Sequence, residues 1–251
     1  MRILLLSDIH SNLEALEACL AAAPPTDATV NLGDIVGYGA SPNEVMERSR
    51  ALAGIFVRGN HDKVVAGIDT VENFNPIAGV AALWNREQIN SEHLSWLRDL
   101  PKGPVAMDAI AGVQYVHGAP DDEDRYVVTP EDAAAQLIKA DAGITFFGHT
   151  HIQGAFQLRG NVVRAVHPAY ETVAKQETWD LPLKEGLNYM INPGSIGQPR
   201  DGDWRAAFAV FDSDQRIVTF FRVPYEVRSA QEKIFAAHLP PRLATRLAAG
   251  R

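Results

Sequence analysis

Cysteine is almost missing from this chain. Cys19 is the single thiol in 251 residues, which excludes a disulfide framework and a thiolate metal cluster. It falls in a predicted helix, where it is expected to pack rather than react. Long hydrophobic runs are missing too. Ile3 to Leu6 is too short for the core of a signal peptide, and no run approaches a membrane span. Basic residues are the minority, 23 Lys and Arg against 31 Asp and Glu, for a formal net charge of -8. An acidic surface argues against general nucleic-acid or membrane binding. An anionic substrate would therefore need a local positive centre, which metal ions could provide. These exclusions lead to the expectation of a soluble cytoplasmic protein with neither a nucleic-acid groove nor a membrane partner.

What is present is ample core material, 46% hydrophobic and 22% charged, enough for one α/β domain over residues 1–251 with a C-terminal helical tail at about 229–250. Arg2 to Ser7 reads as a buried strand. A helix from Asn12 to Ala23 follows, ended by Pro24-Pro25. Further strands are predicted at Ala28–Leu32, Gly54–Val57, Val113–Val116, Ile144–Phe147 and Tyr189–Ile191. Ser41 is expected to open a helix, with Pro42 at its first position and Glu44 completing a capping box. Val64 to Asn75 reads as irregular. Helices are predicted from Pro76, over Ser91–Leu100, and after the Thr129 cap. Gly160-Asn161 marks a hairpin, and Ser213-Asp214 a turn between Ala206–Phe211 and Ile217–Val223. His167 to Gly186 has no period and reads as a long loop over a site. Ser229 and Glu232 read as the capping box of a C-terminal helix interrupted at Pro240-Pro241.

Six of the apolar strands run into short polar signatures: Asp8-Ile9-His10, Gly33-Asp34, Gly59-Asn60-His61-Asp62, His117-Gly118, Gly148-His149-Thr150-His151 and Asn192-Pro193-Gly194-Ser195. Ligands of open α/β sheets bind outside the carboxyl ends of strands. Five of the eight histidines sit at these ends. Singly, each signature could be a turn or a cap. Together, with Asp and His two apart and His and His two apart, they point to a metal site. On an extended backbone Asp8 and His10 would share one side of the strand. His93 (read as lying on a helix surface), His167 and His238 lack such context.

The candidate ligands are Asp8, His10, Asp34, Asn60, His117, His149 and His151. Seven exceed one tetrahedral ion but suit two divalent ions sharing a carboxylate. Oxygen and imidazole donors without thiolate favour manganese, iron, zinc or nickel. Two dications less two aspartates and a bridging hydroxide leave one positive charge, which attracts a phosphate oxyanion. A carboxylate in place of Asn60 would cancel it.

These motifs resemble those of the calcineurin-like metallophosphoesterase family: D-x-H, GD, GNH[DE], a lone His after a strand, and GHxH, all in order from Asp8 to His151. Ser7–Leu13, Asn31–Pro42 and Asn192–Asp203 are similar to its small prokaryotic branch, of phosphodiesterases and diadenosine tetraphosphatase-related hydrolases. The resemblance implies a four-layer α/β fold, a β-sandwich of two mixed sheets flanked by helices. It also implies one ion on Asp8, His10, Asp34 and His151 and another on Asp34, Asn60, His117 and His149. His61 would be the catalytic histidine, with Asp62 orienting its ring. Ile35-Val36-Gly37-Tyr38 lacks the second acidic or asparagine residue common in protein phosphatases, which weakens that reading.

The activity this implies is hydrolysis of a phosphodiester or phosphoanhydride bond of a small phosphorylated substrate, a nucleotide, by a metal-bridging hydroxide. The alternatives are a phosphomonoesterase and a non-catalytic metal-binding scaffold. Beyond the metal motifs, Gly194 and Gly197 could let a ligand approach the backbone. Arg200 could bind a second phosphate through its planar fork, or pair with Asp201 or Asp203. Asn12 could assist it or merely cap the first helix.

Overall fold

The computed structural model describes residues 1–52, 54–139 and 142–251. Along the chain it runs β1 (Arg2–Leu6), α1 (Leu13–Ala22), β2 (Ala28–Asn31), α2 (Pro42–Arg50), β3 (Ile55–Phe56), α3 (Asn60–Val65), α4 (Pro76–Gln88), α5 (Ser91–Arg98), β4 (Val105–Ala106) and β5 (Val113–Tyr115). It continues with α6 (Pro130–Leu137), β6 (Ile144–Phe146), β7 (Gly154–Arg159), β8 (Val162–Val166), β9 (Glu177–Pro182), β10 (Asn188–Asn192), β11 (Ala206–Asp212), β12 (Ile217–Val223), α7 (Val227–Ala236) and α8 (Pro241–Leu247).

The strands form two mixed six-stranded sheets, ordered β3-β2-β1-β11-β12-β9 and β4-β5-β6-β10-β7-β8. In the first, β1 runs parallel to β2, with Leu4 opposite Thr29, and antiparallel to β11, with Leu4 opposite Val210. In the second, β6 lies parallel to both β5 and β10. Alternation along β1 sorts its side chains between two cores. Ile3 and Leu5 enter the layer between the sheets, with Phe211 and Phe220 from their own sheet and Tyr115, Phe146 and Ile191 from the other. Leu4 and Leu6 face the helices, joining Leu16, Val45, Ala81 and Leu243. On the far side α6 packs Ala133 and Leu137 against Phe147, Phe156 and Met190. The result is the expected helix–sheet–sheet–helix stack. No helix among the described residues is long and apolar enough to cross a membrane.

The local differences from sequence have physical causes. The stretch after Gly59 is helical at once, because the Asp62 carboxylate accepts the Gly59 N–H at 3.0 Å and caps α3. The 167–186 stretch contains β9, an edge strand pairing with β12; Trp179, Leu181 and Leu183 reach the inter-sheet core at alternate positions, a short period-2 signal bounded by polar residues and broken by Pro182. Ser41 makes no side-chain cap for α2, its hydroxyl facing Lys233 Nζ at 3.4 Å instead. α7 starts after Glu226, leaving Ser229 inside the helix rather than at its cap. His93 is buried against Arg50, at 3.0 Å, rather than on a helix surface. Cys19 is buried, and that burial holds its thiol well above the ordinary cysteine range.

Phe146 ties the sheets together. Its ring lies 5.3 Å from Phe211 of the opposite sheet and 5.7 Å from Tyr115. Phe146→Ala should cost about 3–5 kcal/mol, the usual range for emptying a packed aromatic site. A urea denaturation midpoint indistinguishable from wild type would show that this layer does not hold the sheets together.

Candidate metal centre

Parallel β1, β2 and β3 end on one edge of the first sheet, and parallel β5, β6 and β10 on the neighbouring edge of the second. Loops from both edges bring all seven candidate ligands together. Asp8, His10, Asp34 and His151 form one group of donor atoms within 4.8 Å of one another, and Asp34, His117 and His149 form a second. Asp34 belongs to both. Its Oδ2 lies 3.5 Å from His10 Nε2 and 3.4 Å from His117 Nε2, while its Oδ1 accepts the His61 backbone N–H at 2.8 Å. His151 Nε2 is 3.2 Å from Asp8 Oδ1, and the Asn60 amide oxygen is 3.2 Å from His117 Nε2.

Each of the four clustered histidines spends its other ring nitrogen on a backbone carbonyl. His10 Nδ1 donates to Val36 at 3.1 Å, His117 Nδ1 to Leu32 at 2.8 Å, His151 Nδ1 to Gln198 at 2.6 Å, and His149 Nε2 to Asp124 at 3.1 Å. These bonds select the tautomer and aim the remaining lone pair inward. His10 Nε2 then faces His151 Nε2 at 3.1 Å, and His117 Nε2 faces His149 Nδ1 at 3.1 Å. With these rings neutral, two lone pairs face each other at each contact and cannot hydrogen-bond. A cation between them resolves both contacts, since metal bonds of about 2.0–2.2 Å separate ligand atoms by about 3–3.5 Å. The donor set therefore fits divalent metal.

The electrostatics point the same way. Burial lowers the His10 and His151 rings and pushes His149 down to about 3, so these rings are neutral lone-pair donors. At His117 burial is outweighed by the Asp34 and Asp8 charges, which hold its ring up to about 10. At Asp8 and Asp34 burial is likewise outweighed, by His151 and His117 respectively, and both carboxyls are held below the ordinary carboxylate range. A metal ion would replace the His117 proton.

The expectation that Asp8 and His10 share a strand side is corrected, because β1 has already ended. Asp8, His10, Asp34, His149 and His151 all have left-handed backbones, φ 51–66°. Such conformations cost of order 1–3 kcal/mol each and persist where surroundings hold them. The surroundings here are other loops. Asp8 N–H donates to Gly33 and His10 N–H to Asp34, both at 3.0 Å. Gly59 packs so close to Asp34 that a Cβ would overlap its carboxylate. Asn192 donates to the Gly148 carbonyl at 2.7 Å, and the Ser195 hydroxyl to the Asp8 carbonyl at 2.8 Å. The sixth signature is thus a brace for the others.

Three further sequence-stretch assignments change. Asp62 does not touch the His61 ring. Its two oxygens accept backbone N–H groups of Asp34, Ile35, Val36 and Gly59 at 2.8–3.2 Å, clamping the Gly33-Asp34 loop to α3. Asn12 is committed to the fold, capping α1 through Ala15 N–H at 3.1 Å and donating to Gly197 at 3.0 Å. Gly194 and Gly197 approach protein, not ligand space: a Cβ would strike Ala207 and the Ile9 carbonyl. Asn85 was not singled out by sequence, yet it is buried and joins Ser11, Gly37 and Gly39. Its one local bond, to the Ala81 carbonyl at 3.0 Å, uses only the backbone of that partner and leaves no mark in sequence, and its other contacts are long-range.

His61 packs between Tyr38, Phe74 and His10, with ring centroids 4.4, 4.5 and 4.8 Å away. Burial pushes its imidazole down to about 4, and Nδ1 has no partner. It lines a pocket of 270 Å³ with Asn60, Lys63, Phe74, Tyr126 and His149. Lys63 is tied to Asp124, and to Asp69 at 3.2 Å. Arg200 pairs with neither Asp201 nor Asp203, which engage Arg222 and Arg205. It reaches instead to the Tyr38 hydroxyl at 3.3 Å.

Comparison with known proteins is consistent with this geometry. The family profile described as calcineurin-like phosphoesterase superfamily domain matches residues 1–216. An uncharacterized protein of Methanocaldococcus jannaschii is 36% identical over 253 residues, covering 99% of this chain and 98% of its own. The crystal structure of a metallophosphoesterase from Sphaerobacter thermophilus superposes with TM-score 0.84 at 40% identity, over 100% of this chain and 99% of that one. A hypothetical protein from Pyrococcus horikoshii shares the fold, with TM-score 0.77 at 19% identity over 100% and 98% of the two chains.

The Asp62 clamp has a direct consequence. Each of its oxygens already accepts two N–H groups, so Asp62→Asn turns an NH₂ against two donors. The variant should lose about 3 kcal/mol of stability, since buried donors are left unsatisfied, and should retain less metal after dialysis. Wild-type stability by urea denaturation, with full metal content, would return Asp62 to a dispensable role.

Proposed function

This chain belongs to the calcineurin-like phosphoesterase superfamily, and on that premise we propose that it is a binuclear metal-dependent hydrolase of phosphodiester or phosphoanhydride bonds in a small nucleotide-like substrate. The observation that carries the proposal is the position of Asp34 Oδ2, nearly equidistant from His10 Nε2 and His117 Nε2 at 3.5 and 3.4 Å. One ion would be held by Asp8, His10, Asp34 and His151, and the other by Asp34, Asn60, His117 and His149. Bound there, two divalent ions supply Lewis-acid polarisation of phosphoryl oxygens and an activated water.

The residues of the chain supply the rest. The neutral Asn60 amide adds a ligand without adding charge, so the centre keeps a net attraction for an oxyanion. His61 is neutral and its Nδ1 is buried without a partner. The tautomer with its proton on Nε2 avoids an orphaned buried donor. That N–H stays on the ring and donates a hydrogen bond to the negative charge that develops on phosphoryl or departing oxygen, a contribution worth roughly 10²–10³-fold in rate. Tyr38, Phe74 and Tyr126 give the adjoining pocket flat apolar walls, suited to an aromatic leaving group. Lys63, the lysine in that pocket, is already neutralised by Asp124 and Asp69. A monoester dianion gains less there than a diester monoanion.

Elemental analysis and kinetics on the same samples test the ligand and His61 assignments together. Asp34→Ala should lose both ions, and His151→Ala mainly one. His61→Ala should keep both ions and its fold while turnover drops about a hundredfold or more, the range for a lost hydrogen-bond donor to developing charge. Full metal content in Asp34→Ala sinks the shared-ligand assignment, and turnover within a few-fold of wild type in His61→Ala makes that residue a structural neighbour.

Substrate preference follows from the pocket charge. With the same metal, kcat/KM for bis-p-nitrophenyl phosphate should exceed that for p-nitrophenyl phosphate. A clear monoester preference would make this a phosphomonoesterase.

A further inference from the structure

We propose that Arg246, on the C-terminal helix α8, joins Arg200 to form a second anion subsite beside the metal centre, one that takes a second phosphoryl group and so selects phosphoanhydrides. The proposal rests on the phosphoesterase reading for the nature of the substrate. α8 lies beyond the 1–216 family match.

The two guanidiniums converge on one ring. Arg200 Cζ lies 5.7 Å and Arg246 Cζ 6.0 Å from the Tyr38 centroid. The Tyr38 ring is in turn 4.6 Å from His10 and 4.4 Å from His61. One aromatic ring therefore separates both arginines from the proposed chemistry. No acidic side chain is among their hydrogen-bond partners in the described residues: Arg200 Nη2 meets Tyr38 Oη and Gln198 Oε1 at 3.3 and 3.1 Å, and Arg246 Nε meets the main-chain oxygen of Arg251. Arg200 Nε is buried with no partner at all. The contrast with nearby Arg205 and Arg222 is plain, since each of those is locked to an aspartate.

Two half-buried like charges repel. Burial lowers the Arg246 guanidinium below its ordinary range, and Arg200 lowers it further. An anion between them relieves both effects, and a planar fork suits phosphate oxygens. The placement is built into the fold. Gly202 N–H donates to the Gly250 carbonyl at 3.0 Å, and Gly250 is so close to Asp203 that a Cβ would strike its backbone. Gln231 on α7 holds Ala244 of α8 at 2.8 Å, and Leu243 and Leu247 are buried. The loop carrying Arg200 and the helix carrying Arg246 are thus fastened together. From Val227 onward the chain has five basic residues and one acidic one, against a net charge of -8 overall.

The test compares binding of AMP and α,β-methylene-ADP, which differ by one phosphoryl-type group, to manganese-loaded protein by titration calorimetry. Wild type should bind the methylene-ADP about tenfold more tightly, the scale of one or two charge-assisted hydrogen bonds. In Arg246→Gln, which keeps the side-chain bulk, the ratio should fall to within about twofold, with AMP affinity and metal content unchanged. Arg246→Ala should do the same, and Arg159→Ala on the β7–β8 hairpin should leave the ratio alone. Equal binding of the two ligands by wild type, or a ratio that survives both Arg246 variants, overturns the subsite. Wild-type turnover of bis-p-nitrophenyl phosphate reports separately on the phosphoesterase reading: its absence, with a ratio that still responds to Arg246, removes the activity and leaves the anion subsite standing.

Discussion

Two carboxylates and four imidazoles share a buried space at 3.1–3.5 Å, most of their closest pairings offering electron pairs to one another. With the outer imidazole nitrogens bonded to Val36, Leu32, Gln198 and Asp124, neutral rings leave these contacts unsatisfied, and only added positive charge, a proton on His117 or a cation, relieves them. Such a cluster is costly to bury unless positive charge enters it. Most of the surrounding architecture can be understood as what is needed to hold this cluster together before that charge arrives.

The holding is done by loops bonding to loops. Seven non-glycine residues at this edge have left-handed backbones: Asp8, His10, Ser11, Asp34, Tyr38, His149 and His151. Each would relax alone. They are held because Asp62 gathers four N–H groups from two loops, Asn192 grips the Gly148–Thr150 turn, and Ser195 secures the Asp8 carbonyl. The acidic 121–124 loop takes part as well. Glu123 forms a two-point pair with Arg58 at 2.9 and 3.1 Å, which steadies the segment whose Asp124 carbonyl orients His149. These bonds lie in layers behind the ligands, where they set direction rather than supply donors.

The distribution of that work explains what sequence could convey. Strand ends followed by short polar signatures are local, so the clustering of Asp8, Asp34, His117 and His149 was legible, and the family resemblance those signatures carry implied the two-sheet fold. Helix starts marked by proline, at Pro42, Pro76 and Pro130, were legible for the same reason. What depended on partners distant in the chain was not. Asp62 beside His61 invited a ring-orienting role, whereas its partners lie about 28 positions back. β9 was passed over because its alternation is short, Trp179, Leu181 and Leu183 around Pro182, and its pairing with β12 lies far along the chain. Arg246 had no motif around it, and its position follows from a contact between Gly250 and Gly202.

Charge placement distinguishes the two sides of the His61 and Tyr38 rings. On the Lys63 side, the cation is consumed by Asp124 and Asp69, and the walls are aromatic. On the Arg200 side, neither guanidinium against Tyr38 is bonded to an acidic side chain among the described residues. In a chain of net charge -8, carboxylates are plentiful, yet the side chains bonded to these two arginines among the described residues are neutral. A long-range field from the acidic surface repels anions, but at about 0.15 M salt it is screened beyond roughly 8 Å. Local guanidiniums and a cation-holding centre act within that distance. In the proposed reading this asymmetry would direct the neutral, flat end of a ligand to one side of the rings and its further anionic charge to the other.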